Sequence, residues 1–211
     1  MSSDDTKRRY VSPKRSAASE ETDARIVAAA FTVLGRVAKG GEVFSLETVA
    51  KQAGVTRLTV HNRFGSRRGL LEAVFDARAR EAGLHRVAQA MAMADAEGAI
   101  LAIVGIFCDF WSSDHHGLSG LFASGAGEPE FRQAMHERNE RRRQIFDVLT
   151  ARLVGEGRLD ADRRDDVTDV LFALTGMPFF VSLSVRERPM DGVKALISGL
   201  ARAAIASGQT Q

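Results

Sequence analysis

Residues 45–66 contain the feature that most limits the possible folds of this chain: helix-start and helix-stop signals so closely spaced that only two short helices fit between them. Ser45 is favourable at the start of a helix, and Gly54 is favourable just after its end. Thr56 then begins a second helix, which Gly65-Ser66 ends. The inward-facing residues of the two predicted helices are Val49, Ala50, Ala53, Val60 and Phe64.

The turn between these two helices has the chemistry of a helix-turn-helix. Ala50 lets the helices cross closely, Gly54 tolerates a left-handed backbone, and Val55 fills the turn from inside. The second helix keeps polar outer residues, as a helix that enters the DNA major groove requires. These residues are Thr56, Arg57, Thr59, His61, Asn62 and Arg63. A helical hairpin with no binding role would use the same glycine, so both interpretations follow from the turn alone.

The rest of the chain is also predicted to be helical, because no block rich in Val, Ile and Thr indicates a sheet. A first helix begins at Thr22 or Asp23 and ends at "KGGE", and a long fourth helix covers residues 67–94. Residues 97–111 are apolar on nearly all sides, which predicts a buried central helix. A long amphipathic helix follows, with the charged run "HERNERRR" exposed in its middle, and two apolar helical segments close the chain.

Charge is unevenly distributed along the sequence. Residues 1–80 hold 15 Lys or Arg against 9 Asp or Glu, a balance of +6, and residues 81–211 hold 14 against 18, a balance of −4. A basic first part indicates contact with a polyanion, although an uneven solvated surface would give the same numbers. Residues 1–20 are predicted to be a flexible arm, either a solvated tail or a second DNA contact. Its basic residues are Lys7, Arg8, Arg9, Lys14 and Arg15.

Several classes of protein are disfavoured by the sequence. Cys108 is the only cysteine, the N-terminus lacks the apolar stretch of a signal peptide, and no apolar run approaches the length of about 20 residues that spans a bilayer. We therefore expect a cytoplasmic protein with no membrane partner. The segment "CDFWSSDHH" lacks the ligand spacing of a zinc site, and Ser, His and Asp are too scattered for a hydrolase. The sequence predicts no metal, no cofactor and no enzymatic activity.

Residues 22–75 resemble the DNA-binding domain of the TetR/AcrR transcriptional regulators. The resemblance rests on the amphipathic first helix, on "SLETVAKQAGVTRLTVHNRFGSRRGLLEAVF", and on the Phe-x-Ser-basic junction into the fourth helix. It implies an all-α fold, in which a three-helix DNA-binding domain is joined by a long fourth helix to a helical domain for effector binding and dimerisation. The expected boundaries are 1–20 for the arm, 21–68 for the DNA-binding domain and 69–211 for the remainder.

The resemblance also assigns residues to double-stranded operator DNA. It implies phosphate contacts from Ser45, His61 and Arg67. Base-edge contacts would come from Arg57, Thr59 and Asn62, which suit guanine, the thymine methyl group and adenine. Thr56 at the start of the second short helix and Arg63, turned outward to a phosphate, complete the predicted DNA-binding set.

Four positions depart from the usual pattern of the family. His61 stands where Tyr is common, Arg63 where an aromatic residue or His is usual, Leu58 where a small residue is common, and Gly65 where Pro is frequent. These changes affect which bases are contacted. They also leave open an alternative, a protein of the same fold whose helix-turn-helix no longer binds DNA and serves as an interaction module.

The C-terminal two thirds offer material for a homodimer and an effector site. Two apolar stripes are expected to pair with their symmetry mates, although packing within one chain would use them equally well: Val167, Val170, Leu171 and Leu174, then Val193, Leu196, Ile197, Leu200 and Ala204. Pro178 is expected to kink its helix beside a cavity. The candidate lining residues, which would also suit a simple core, are Phe107, Phe110, Trp111, Phe122, Met135, Phe146, Phe172, Met177 and Phe180. The family implies a repressor that an apolar or aromatic small molecule releases from DNA.

Overall fold

The computed structural model describes residues 13–184 and 188–209. This part of the chain contains eleven α-helices, a single turn of 3-10 helix at Ala161–Arg163, and no strand. The helices are α1 (Pro13–Ala38), α2 (Leu46–Ala53), α3 (Arg57–Phe64), α4 (Arg67–Glu81), α5 (Arg86–Met91), α6 (Ala96–Ser113), α7 (His115–Gly125), α8 (Pro129–Gly155), α9 (Arg164–Leu174), α10 (Met177–Ser184) and α11 (Met190–Ser207). The all-α prediction is confirmed. Below, α1 to α3 are called the head and α4 to α11 the body.

The head has the helix ends that the sequence predicts. Ser45 and Thr48 form a capping box, in which each side chain accepts a hydrogen bond of 3.0 Å from the other residue's main-chain N–H. Gly54 ends α2 with φ of 66°, the left-handed conformation that glycine adopts without strain. The Thr56 hydroxyl accepts from the main-chain N–H of Thr59 and begins α3.

Helix α1 begins earlier than predicted. It starts at Pro13, not at Thr22 or Asp23, so residues 13–20 of the expected flexible arm are helical. Instead of capping the helix, the Thr22 hydroxyl donates to the carbonyl oxygen of Ala18 one turn back, at 2.9 Å. Proline is well tolerated in a first turn, and adding a turn to an existing helix costs less than starting a new one. Residues 1–12, which include Lys7, Arg8 and Arg9, lie outside the described part.

The predicted fourth helix is two helices. It is interrupted between α4 and α5, where Gly83 adopts φ of +79° and the chain turns. The Arg86 side chain donates from Nε to the Gly83 carbonyl oxygen at 3.2 Å, which holds this turn. A left-handed glycine ends a helix because it redirects the chain and supplies N–H groups to the last free carbonyls.

The central helix of the body is α6, as predicted. It contacts α5, α8 and α11, and its residues Ile100, Ile103 and Phe110 are fully buried. Its 18 residues would suffice in length and composition to cross a membrane, but 61% of the helix is buried inside the fold. A core helix meets the same criteria, and α6 occupies that position here.

Head and body meet where α1 packs against α7. A Cβ atom at Gly120 would lie 2.0 Å from the main-chain oxygen of Leu34, and one at Gly117 would lie 2.4 Å from the ring of Phe31. No other residue fits so close a contact without a shift of the backbone or the ring. These two glycines therefore set how closely α7 approaches the head.

The chain bends sharply between α9 and α10. The segment through α9 and the segment through α10 are inclined by 60°. The sequence predicts a kink at Pro178, whereas the helix actually stops at Leu174 and restarts at Met177. Pro178 lies in the first turn of α10, where its missing N–H is not needed. Thr175, in the break, offers its carbonyl oxygen to side chains from α6 and α8.

Candidate DNA-binding surface and internal cavity

Helix α3 presents free polar side chains on its outer face. Its inner face packs through Val60, which is fully buried, and Phe64, which is half-buried. Arg57, His61 and Asn62 are exposed, and none of the three forms a hydrogen bond or an ion pair within residues 13–184 and 188–209. These side chains are therefore available to an external partner.

The predicted hydroxyl contacts already have local roles. Ser45 is held in the capping box with Thr48, and the Thr56 and Thr59 hydroxyls lie 2.8 Å apart. Ser45 and Thr56 cap α2 and α3, where unpaired N–H groups favour an anion. The structure thus places both hydroxyls at the positively polarised ends of the two helices.

Arg63 lies against α1 rather than pointing outward as the sequence analysis expects. Its Nη2 donates to Asp23 Oδ2 and to the main-chain oxygen of Ser19, both at 2.6 Å. The hydrogen bond to Asp23 raises the pKa of Arg63. A phosphate contact from Arg63 stays a prediction and requires this pair to open.

Arg67 bridges the head and the body. Its Nε donates to the carbonyl oxygen of Phe44 at 3.2 Å, and its Nη2 donates to the carbonyl oxygen of Ser124 at 2.8 Å. Glu128 forms an ion pair with its Nη1. The predicted phosphate ligand is thereby attached to the end of α7 and the start of α8. The sequence gives no sign of Ser124 and Glu128 as partners, because they lie 57 and 61 positions away.

Leu58 is a feature of α3 that the predicted DNA-binding set omits. It is 66% exposed, next to Arg57 on the same helix. A single exposed leucine is common on protein surfaces, so only its position beside Arg57 places it where a partner of α3 would make contact. In the sequence, the only indication of a special role for Leu58 is that it stands where the family commonly has a small residue.

The body contains a cavity of about 1400 Å³ that is open to solvent and is lined by residues from α4 to α10. Seven of the nine predicted residues line it: Phe107, Phe110, Trp111, Phe122, Met135, Phe172 and Met177. Pro178 also lines it, beside the break between α9 and α10. Phe146 and Phe180 do not line it, and both are packed in the core with at most 1% exposure. Helical spacing identifies inward-facing residues but does not separate a core from a cavity wall.

Arg142, within the run predicted to be exposed, is buried. It is 7% exposed, lines the cavity, and donates from Nη1 to the carbonyl oxygen of Thr175 at 2.6 Å. Its guanidinium carbon lies 4.4 Å from the ring centre of Phe172 and 5.5 Å from that of Phe107. Burial lowers the pKa of Arg142 to about 10, with the charge of Arg143 acting in the same direction. Its burial is indicated by helical spacing, since Arg142 follows Met135 by seven residues and precedes Phe146 by four, which places it on their face of the helix.

Asp109, near the end of α6, connects this helix to α5 and α11. Asp109 accepts from Lys194 of α11 at 2.9 Å and from Arg86 of α5 at 3.1 Å. Burial raises the pKa of Asp109, but the hydrogen bonds from Lys194 and Arg86 outweigh it and hold that pKa below its usual range. Cys108 is buried, and within the described ranges no three His, Cys, Asp or Glu side chains are grouped to hold a metal ion.

The two stripes expected at a dimer interface are divided between the inside and the surface of the chain. Five residues are buried within the monomer: Val167, Leu171, Leu174, Val193 and Ile197. Leu196 and Ala204 are half-buried. Val170 on α9 and Leu200 on α11 are 43% and 39% exposed. Helices α9 and α11, which carry these exposed residues, contact each other.

The comparisons with known proteins agree with this geometry. Residues 26–74 match the family model of bacterial regulatory proteins, tetR family. No curated protein matches the chain. A transcriptional regulator of the TetR/AcrR family from Thermobifida fusca is 19% identical, with a TM-score of 0.62 over 90% of this chain and 100% of that one.

Two further solved structures share the fold. The fatty acid degradation regulator FadR from Bacillus halodurans is 16% identical, with a TM-score of 0.64 over 93% of this chain and 96% of that one. A cysteine mutant of the TetR-family regulator CifR, complexed with 26-bp double-strand operator DNA, is 16% identical, with a TM-score of 0.65 over 87% of this chain and 95% of that one. Residues 26–74 therefore carry the helix-turn-helix domain of the tetR family of bacterial regulatory proteins, and the chain has the fold of TetR-family transcriptional regulators.

Proposed function

We propose that this chain is a sequence-specific DNA-binding regulator, a dimeric repressor that a small molecule releases from its operator. The observation that carries the proposal is the outer face of α3. The side chains of Arg57, His61 and Asn62 are exposed there, on a helix whose start and inner face are fixed by Thr56 and Val60. A solved relative with the same fold, CifR, is bound to operator DNA.

The chemistry of the free side chains suits base edges in the major groove. Arg57 can donate two hydrogen bonds to guanine, and Asn62 can pair with adenine in the same way. Thr59 and the exposed Leu58 offer methyl groups to thymine. His61 and the capped starts of α2 and α3 are then available to phosphates.

A dimer would supply the second half-site contact. The surface formed by α9 and α11 leaves Val170 and Leu200 exposed, and pairing with a second copy would cover both. Two heads related by two-fold symmetry would then contact half-sites one or more turns of DNA apart.

The cavity is the proposed effector site. Its lining is largely apolar and includes Phe122 of α7, the helix that packs against α1. FadR, a structural neighbour, is a fatty acid degradation regulator, which supports an apolar effector. A ligand that favours a different position of α7 would shift the heads away from the half-site spacing and lower DNA affinity by its differential binding energy.

Selection from a randomised pool of double-stranded DNA tests this function. We expect the protein to enrich one sequence with two-fold symmetry, and we expect Asn62→Ala to change the preferred base at one position of each half-site. Failure to enrich any sequence would overturn the proposal and favour the alternative, a head that binds another macromolecule.

A further inference from the structure

The cavity wall contains a buried positive charge without a negative partner. Arg142 is 7% exposed, and among the described residues no carboxylate lies within 4.0 Å of its guanidinium. Its neighbours Arg143 and Arg138, by contrast, pair with Asp169 and Asp76. A buried charge without a counter-ion is costly to a fold, and such groups are normally paired. Arg142 is therefore an unusual residue to retain in a purely structural role.

The contacts that Arg142 does make leave its charge unneutralised. Nη1 donates to the neutral carbonyl oxygen of Thr175, and two phenylalanine rings flank the guanidinium. The Nε–H group is buried and has no hydrogen-bond acceptor in the described part of the chain. A guanidinium has five N–H groups, so Arg142 retains donors for a further oxygen acceptor.

The residues that line the cavity around Arg142 favour an anion that also has a large apolar part. Four arginines of α8 line the cavity, Arg132, Arg138, Arg141 and Arg142, and no Asp or Glu is among the described lining residues. Most of the remaining wall is apolar and aromatic, and the volume of about 1400 Å³ exceeds that of a small inorganic ion many times over. Positive charge concentrated in an apolar cavity raises the local concentration of anions.

We propose that the cavity binds an amphiphilic anion. Its apolar part would lie against the aromatic wall, and its single carboxylate or sulfonate group would bind the guanidinium of Arg142. This inference rests on the proposed function, since it names the chemical class of the effector. The inference also connects ligand binding to the packing of the helices. The Thr175 carbonyl oxygen accepts hydrogen bonds from both Arg142 and, at 2.9 Å, Trp111 Nε1. A bound anion would compete with Thr175 for Arg142 at the break between α9 and α10.

A matched pair of fluorescent probes tests the proposal. Anilinonaphthalene sulfonate and N-phenylnaphthylamine share the same aromatic ring system, and only the first is anionic. Trp111 is the only tryptophan and lines the cavity, so energy transfer from Trp111 detects a probe bound there, and the Arg142 variants assign the bound probe to the cavity. The affinity of each probe is measured with the full-length wild-type protein, Arg142→Met and Arg142→Lys, and with Arg141→Met as a matched loss of an exposed lining arginine.

We expect Arg142→Met to weaken binding of the sulfonate by about 10- to 100-fold, the loss that corresponds to one hydrogen bond between charged groups. Binding of the neutral probe should be unchanged, which also shows that the variant is folded. Arg142→Lys should recover part of the loss, and Arg141→Met should cause a much smaller one.

Two results would overturn the inference. Equal loss of both probes in Arg142→Met, or equal affinity of both for the wild-type protein, would show that Arg142 does not bind the anion, while the cavity would remain an effector site. Absence of energy transfer to either probe would reject the cavity as a ligand site, and the DNA selection would still decide the DNA-binding function separately.

Discussion

The Nη2 group of Arg67 donates a hydrogen bond of 2.8 Å to the carbonyl oxygen of Ser124, which attaches the first residue of α4 to the last turn of α7. Glu128 completes the attachment with an ion pair. The family resemblance assigns the same guanidinium to a DNA phosphate. If Arg67 binds a phosphate as proposed, the two uses compete, and the position of Arg67 would link DNA binding to α7, which borders the cavity.

Substitution of Glu128 should reveal this competition. Glu128→Gln removes the charge that holds Arg67, so we expect DNA affinity to rise by up to about fivefold, the range of a partly exposed ion pair. Arg67→Ala should weaken binding to all DNA sequences and reduce the slope of log affinity against log salt by about 0.9, the value for one phosphate contact. Both are measured by fluorescence anisotropy with labelled DNA. A weaker complex with Glu128→Gln would contradict the competition.

The contact of α7 with α1 should tolerate no side chain at Gly120. Gly120→Ala places a methyl group 2.0 Å from the Leu34 carbonyl oxygen, and we expect a loss of about 1–3 kcal/mol in the free energy of unfolding. Gly127→Ala is the matched control, because nothing lies within 4 Å of its added methyl group, and it should change stability by less than about 0.5 kcal/mol. Urea unfolding measures both. Equal effects would show that the α1 and α7 contact is not tight.

The proposed dimer should depend on the surface of α9 and α11. Val170→Asp introduces a charge where the partner would pack, and we expect a monomer of 22.9 kDa in sedimentation equilibrium where the wild type has twice that mass. Val43→Asp changes a valine that is 78% exposed in the head and should leave the dimer intact. A wild-type protein that sediments as a monomer at micromolar concentration would reject the dimer.

The thiol of Cys108 should make stability depend on pH in the alkaline range. Burial raises its pKa to about 11 from an ordinary value of 9.0; Lys194 opposes the shift and Asp109 adds to it. The folded state therefore holds this proton more tightly than the unfolded state, and the resulting stability is complete below pH 9 and lost as pH rises towards 11. We expect the urea midpoint of Cys108→Ala to fall less than that of the wild type across this interval. Parallel curves would mean that the thiol does not contribute.

The sequence predicts best where the signals are local. Ser45, Gly54, Thr56 and Gly65 fix the ends of α2 and α3, because a cap or a left-handed glycine acts within one turn of its own position. The buried α6 follows equally directly from its uniform apolarity. Gly83 is a signal of the same kind, and its left-handed conformation divides residues 67–94, which are predicted to form one helix.

The sequence predicts least where function depends on contacts between distant segments. The partners of Arg67 and the burial of Arg142 arise from helices that meet only in the folded chain. A run of charged residues usually indicates a solvent-exposed surface. In α8, however, packing against α6 and α9 buries Arg142 within such a run. Phe146 and Phe180 show the same limit, since only the fold separates core from cavity wall.

The central claim is that α3 recognises a DNA sequence, and Asn62→Ala tests it most directly. Asn62 is exposed and uncharged, so its loss changes neither the packing of the head nor the number of phosphates neutralised. Anisotropy titrations across a salt series would compare the selected site with a scrambled duplex. We expect the variant to lose about 1–3 kcal/mol on the selected site, with its salt slope and its affinity for scrambled DNA unchanged. Equal affinity of the wild-type protein for both duplexes, or an unchanged affinity of the variant for the selected site, would contradict the account.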